Sequence, residues 1–216
     1  SGAPPGEIGA ADKKVQAYNF RMCFSKDKKN QVPFAKPANY NPQRFALVAR
    51  LFKGLVERDQ QGPRLNEIMI VSPMPNNKTD INNRGAFSTD HIGKNWDYPE
   101  ASYKRRAEIW QDHIHYLQGF FYFLANDPQV PADTQKAFNE YALAKDEFTD
   151  TAHWPHQLYV REARRMVGSF VMTQKDIQDE LTKPDVIGMG SYNSDSHHVQ
   201  RFVQADGTVQ NEGNME

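Results

Sequence analysis

The chain has 216 residues, 38% of them hydrophobic, 12% aromatic and 25% charged, enough for one large domain or two small ones at the usual ~100–200 residues each. Its 26 Lys and Arg stand against 27 Asp and Glu, a formal net charge of -1, so no global field draws it to nucleic acid or to an anionic membrane surface. The most apolar run, GFFYFL from Gly119 to Leu124, is far short of the ~18 residues that span a bilayer, and the single Cys23 excludes an intramolecular disulfide and a cysteine-rich zinc site.

A mean hydropathy of -0.78 is wet for a folded chain, but the aromatic content argues against disorder. The chain starts at Ser1-Gly2 without an initiating Met or a signal-like apolar stretch, and it ends in loop-type residues. That pattern predicts an internal piece of a longer protein. It leaves the compartment open, a periplasmic or secreted one included.

Residues 1–13 (SGAPPGEIGAADK) hold Gly, Ala and Pro with one large aliphatic side chain and read as a flexible leading segment. VQAYNFRMCF then alternates, placing Tyr18, Phe20, Met22 and Phe24 on one face and Ala17, Asn19, Arg21 and Cys23 on the other, which predicts a strand. Asn19 and Arg21 either project into solvent, the usual arrangement for a half-buried sheet, or line a polar cleft. Asn41-Pro42 is a helix start, and Phe45, Val48, Phe52 and Leu55 follow at helical spacing, so a helix is expected from 42 to about 58. Gln61-Gly62-Pro63 ends it, and Glu67 to Val71 offers a short buried strand.

From Ser72 to Tyr98 periodicity is lost and Asn, Gly, Pro, Thr and Asp are dense. Loops longer than ~12–15 residues are uncommon in compact domains and are often functional. The next segment carries Tyr103, Ala107, Trp110, Ile114, Leu117, Phe121 and Leu124 at steps of three and four, the seam of a long core helix that ends at Asn126-Asp127-Pro128. Pro131-Ala132-Asp133 opens a shorter helix, with Ala137, Phe138 and Tyr141 inward, that returns antiparallel as a helical hairpin. HWPHQLYV reads as extended, REARRMVGSF as a short helix or turn, and Thr173 to Leu181 as another helix start with Asp176 in its first turn. Asp206-Gly207 between His198–Val203 and Thr208–Gln210 is a hairpin signal. The predicted class is α+β: a long helical hairpin packed with a small mixed or antiparallel sheet, joined by long polar loops.

The local chemistry is sparse. His113 and His115 lie two apart on a helix and cannot ligate one ion together. HExxH and G-x-S-x-G are absent, and Gly188-Met189-Gly190-Ser191-Tyr192-Asn193 has Asn where a dinucleotide fingerprint needs its third Gly. No metal site is predicted. Three polar clusters stand out. Asn76 to Gly85 either satisfies its own backbone or presents donors to a ligand. Arg161, Arg164 and Arg165, just after His153 and His156, form either a solvated face pairing with Glu162 or an anion clamp. Ser191 to His198 offers a phenol, a carboxylate and imidazoles, the ingredients of proton transfer.

The runs VQAYNFRMCF, NNKTDINNRGAFSTDHIG, LANDPQVP, WPHQLYVREARRMVGSFVMTQKD and IGMGSYNSDSHHVQR, which together cover nearly all of residues 14–216, resemble the bacterial FAD-dependent oxidoreductase family. Members open with a Rossmann-type FAD domain marked by a Gly-rich fingerprint and return to it near the C-terminus. The resemblance therefore implies that residues 14–216 are the middle, substrate-side or cap domain of a flavoprotein, with the FAD-binding portion of the same protein outside this chain. It implies hydride transfer to or from flavin N5, with the cofactor performing the redox step and protein groups positioning a small-molecule substrate and moving a proton. FAD is expected in the intact parent and not in this chain alone, which is expected to be inactive by itself.

The positions carried by the resemblance are His197 for proton transfer, Asp195 for its orientation and Tyr192 for substrate contact. Lys78, Asp80 and Asn82 are implied as substrate contacts from the long loop, and His156, Arg161 and Arg164 as holding a polar or anionic substrate or a flavin edge. The cofactor-binding residues are not assigned. A different class of function, a non-catalytic carbohydrate-type binding module, would use Trp96 and Trp154 as stacking platforms with nearby Asn and Asp.

Overall fold

The computed structural model describes residues 5–7, 10–178, 182–190 and 195–213. The alternation around residue 20 governs its centre: Tyr18, Phe20, Met22 and Phe24 are each 1% exposed or less. Only Met22–Ser25 forms the ladder strand β1, while the chain before it is held by a bridge between Asn19 and Tyr159. β1 is the middle strand of a five-stranded sheet in the order β2-β5-β1-β4-β3, where β2 is Gln31–Val32, β3 Met69–Met74, β4 Lys78–Asn83 and β5 Ala142–Ala144. Every pairing in this sheet is antiparallel.

The polar stretch from Ser72 to Tyr98 is not a loop throughout. Nearly half of it, residues 72–83, completes β3 and forms all of β4, joined by a tight turn in which Asn76 and Asn77 have φ of 62° and 56°. Such hairpin turns need positive φ at both central residues, which Asn tolerates better than other side chains. In β4, Thr79 and Ile81 are buried while Lys78, Asp80 and Asn82 take the other face, a two-residue period hidden by its polar half. The short buried strand expected at Glu67 to Val71 begins at Met69 and is an edge strand, with Ile70 exposed.

The helix expected from 42 onward divides in two. Pro42–Phe45 is a 3₁₀ turn, and the α-helix α1 runs Ala46–Asp59. Asn41 caps the start, its side-chain oxygen accepting the Gln43 N–H at 3.0 Å. Asn41→Ala is expected to lower stability by about 1 kcal/mol, measurable as a reduced urea midpoint with an unchanged slope.

The long helix α2 spans Tyr103–Asn126, 24 residues or about 36 Å. Its N-cap is Ser102, whose hydroxyl accepts the Arg105 N–H. Tyr103, expected at the head of the apolar seam, is instead exposed, the first buried residue of the helix being Ile109. From Leu117 the helix is nearly enclosed: Phe120, Phe121, Phe123 and Leu124 are all buried. Phe121 meets Phe24 edge-on at 5.2 Å and Phe123 packs on Phe45 at 5.4 Å, the offset and T-shaped geometries aromatic rings prefer. Helix α3, Ala132–Phe138, folds back on α2 and places Phe138 in the same core.

Residues 161–170 form no helix, contrary to the short helix or turn expected there. Beyond them α4 is one turn, Gln174–Ile177, started by the Asp176 carboxylate accepting from the Thr173 N–H and hydroxyl. The expected extension toward Leu181 lies outside the described residues. The last element is the anticipated hairpin, β6 (Gln200–Val203) with β7 (Val209–Glu212), turning at Gly207 with φ of 83°. The class is α+β, and the sheet is antiparallel.

Candidate functional site

The strand that carries the core on one face carries a buried polar side chain on the other. Asn19 is 0% exposed and lines a polar cleft, whereas Arg21 on the same face is exposed to solvent, so the two alternatives for this face are divided between its two residues. The Asn19 amide donates to Asn82 Oδ1 and Thr89 Oγ1, both at 3.1 Å. Beside it Arg161 donates to Asn19 Oδ1 at 3.1 Å and Asn82 Oδ1 at 3.2 Å, with Asn83 Oδ1 at 3.4 Å. The Asn19–Tyr159 bridge delivers Arg161 here, since it pins the incoming chain two residues earlier. The solvated-face reading therefore fails for Arg161, whose guanidinium also packs 4.6 Å from the Tyr159 ring.

Arg161 forms an ion pair with Asp90 at 3.5 Å, with the two side chains only 5% and 6% exposed. Burial pulls the Arg161 pKa below its ordinary value, while the Asp90 charge acts in the opposite sense. The second Asp90 oxygen lies 2.8 Å from His197 Nδ1. A carboxylate accepts only, so Nδ1 carries the proton and Nε2 is left as the free nitrogen. The His197 backbone N–H is held by Gln16 Oε1 at 2.7 Å. Asp195, well exposed, stands 3.6 Å from His197 Nε2, beyond hydrogen-bond distance.

The sequence-derived positions divide accordingly. Arg161 and His197 meet at Asp90, Asn82 joins them through Arg161, and Asp195 stands at the rim. Asp80 lies two residues from Asn82 and is engaged by Arg21 in a two-point ion pair. Lys78, at the other end of β4, pairs with Asp146 at 2.8 Å and with Glu147. His156 is exposed and pairs with Asp150 at 2.8 Å. Arg164 is exposed and pairs with Glu100 at 2.9 Å. Tyr192 lies outside the described residues. Asp90 and Thr89 were not singled out in sequence. They sit in the FSTDHIG run, and nothing local in that run announces a carboxylate that serves two partners.

A second polar group lies next door, because His91 turns away from Asp90. Its ring stacks on Tyr116 at 4.1 Å, its Nε2 is 2.9 Å from Asp112, and Arg44 pairs with the same carboxylate at 3.1 Å. His113 lies 5.1 Å from the His91 ring and donates from Nδ1 to Ile109 O. Among the described residues no group of three His, Cys, Asp or Glu is placed to hold a metal ion, and no helix is long and apolar enough to cross a membrane. Trp154 is a core residue packed edge-on against Phe20 at 5.6 Å, and Trp96 spends its indole N–H on Val199 O. Trp154 therefore offers no face for sugar stacking.

Among curated proteins and among solved structures nothing matches the chain. A family model described as FAD dependent oxidoreductase matches residues 5–216. With that match spanning both the antiparallel sheet and the Asp90 cluster, the chain belongs to the FAD dependent oxidoreductase family.

Proposed function

We propose that this chain is the substrate-side region of an FAD-dependent oxidoreductase and that the FAD-binding portion belongs to the rest of the same protein. A dinucleotide's pyrophosphate is ordinarily held at a Gly-rich turn between a parallel strand and a helix N-terminus. All pairings of the five-stranded sheet run antiparallel, and no strand leads into Gly188-Met189-Gly190 and no helix follows it among the described residues. The described residues do not fit that cofactor by this route.

The observation that carries the reading is the Asp90 carboxylate shared between Arg161 and His197. Arg161 pairs with the carboxylate from the buried side and is itself held by Asn19 and Asn82. The carboxylate in turn fixes the His197 tautomer, leaving Nε2 as a proton acceptor at the edge of the cluster. Asp195 stands on the open side, 3.6 Å from Nε2. Tyr192 is proposed to border a small-molecule substrate there, while Asp80 is held by its ion pair with Arg21. Arg161 acts through Asp90 as a positioning residue, and Asn82 acts through Arg161. Lys78, His156 and Arg164 are paired elsewhere and receive no part in this arrangement.

In the FAD-loaded full-length protein, His197→Gln is expected to slow substrate-driven flavin bleaching about 100-fold while FAD content stays unchanged. In the chain itself, nitrogen NMR of the imidazoles is expected to show His197 protonated at Nδ1 at neutral pH, and Asp90→Asn to disturb that preference. Unchanged bleaching removes the His197 assignment, and a colourless full-length protein removes the whole reading.

A further inference from the structure

The segment between Arg161 and His197 leaves its large apolar side chains in water. Met166, Val167, Phe170, Met172, Ile187 and Met189 are each 60% or more exposed. Scattered single exposures need no explanation, but a concentration like this in one short segment marks an interaction surface. Apart from the single turn of α4, residues 162–172 and 182–190 also form no helix or strand, and long irregular segments of this kind are usually functional.

Both ends of this strap close on one point. It departs from Arg161 and returns at His197, and both of those residues contact Asp90, at 3.5 Å and 2.8 Å. Two surface grooves, of about 930 Å³ under Trp96 and Pro99 and about 1220 Å³ between α1 and residues 128–135, include neither Asp90 nor His197. The family requires a flavin, and the described residues offer no dinucleotide cradle.

From this disagreement we infer that the apolar stretches 166–172 and 186–189 are the docking surface for the FAD-carrying portion of the protein, which they seat over the Asp90–His197 pair. The inference rests on the substrate-side reading above. It adds which part of this chain makes the contact. The strap carries four Lys and Arg against six Asp and Glu, and residues 166–172 and 186–189 hold no charged side chain, so apolar burial is the dominant attraction available to those stretches.

The test compares backbone hydrogen exchange of residues 166–172 and 186–189 in the full-length protein and in this chain. Exchange about 100-fold slower in the full-length protein is expected, as for segments that move from solvent into an interface. The double variant Val167→Ser/Ile187→Ser should leave the melting temperature of this chain unchanged to within about 2 °C, since both side chains are already in water. In the full-length protein it should speed FAD loss about 10-fold, the equivalent of the apolar contacts of one or two side chains. A flavin-containing full-length protein whose strap exchanges as fast as in the chain overturns this inference alone. A full-length protein without FAD overturns the substrate-side reading and this inference with it. Protection that appears equally in the isolated chain on self-association assigns the surface to a second copy and also overturns it.

Discussion

Replacing Arg161 with Met is expected to destabilise the chain by about 3–5 kcal/mol, the usual cost of removing one partner from a buried ion pair. Methionine matches the length and apolar stem of the arginine, so the volume change is small and the loss reports the guanidinium. Asp90, 6% exposed, keeps its hydrogen bond from His197 but loses its counter-charge. The oxygens of Asn19, Asn82 and Asn83 lose a donor at the same time. Asp90→Asn is expected to cost less, because the guanidinium retains its three amide acceptors and the new side chain still accepts at one oxygen. The double variant is then expected to be more stable than the sum of the two single losses predicts, as coupled neighbours are. Urea unfolding followed by tryptophan fluorescence measures all three. The Arg161 loss should persist in high salt, since a buried pair is poorly screened. Removing the exposed Arg164–Glu100 pair should have little effect at any salt concentration. An Arg161→Met loss below about 1 kcal/mol would sink the picture of a water-excluded network.

How far the residues announced this arrangement depends on the range over which each signal acts. The Tyr18-Phe20-Met22-Phe24 alternation, the α2 seam and the Asp206-Gly207 turn are signals within one element, and each led to the element found. The β3–β4 hairpin was hidden by its own chemistry. Its turn is Asn-Asn instead of the commoner Asn-Gly, and three of the outward residues of β4 are Lys78, Asp80 and Asn82, so a regular strand reads as a polar loop. The candidate site is a long-range object: His197 lies 107 residues from Asp90. Asn82, Arg161 and His197 could be named from the wording of their runs, but their common centre could not. Nor does the REARR run reveal which arginine turns inward. The bridge to Asn19 decides that, by fixing Tyr159 against the edge of the β1 chain and leaving Arg164 to reach solvent and Glu100.

The second large effect is expected on acidification, and it originates in His113. The ring is 1% exposed, its Nδ1 proton is donated to Ile109 O at 2.7 Å, and Nε2 has no hydrogen-bond partner among the described residues. Protonating Nε2 would place a charge in an apolar site beside His91 with no acceptor for the new N–H. Burial, reinforced by His91, pushes the His113 pKa down to about 4 from an ordinary 6.5. Tyr18 is the other ring against it, and Asp112, next along the helix, favours protonation too weakly to reverse the effect. Between these two values the unfolded chain binds the proton and the folded chain does not, so stability rises with pH. The contribution is fully present above about pH 6.5 and lost progressively down to about pH 4, a total of about 3 kcal/mol. His91 acts in the same direction, since burial lowers its pKa against the pull of Asp112. Asp112, held below the usual carboxylate range chiefly by its hydrogen bond to His91, adds its loss only in stronger acid. Unfolding free energies at a series of pH values from 7.5 to 4.5 should therefore fall with a slope approaching one proton per histidine. In His113→Leu the slope should drop by about one proton even if the absolute stability changes. A variant that retains the full acid sensitivity of the parent would remove His113 from the account and leave His91 as its source.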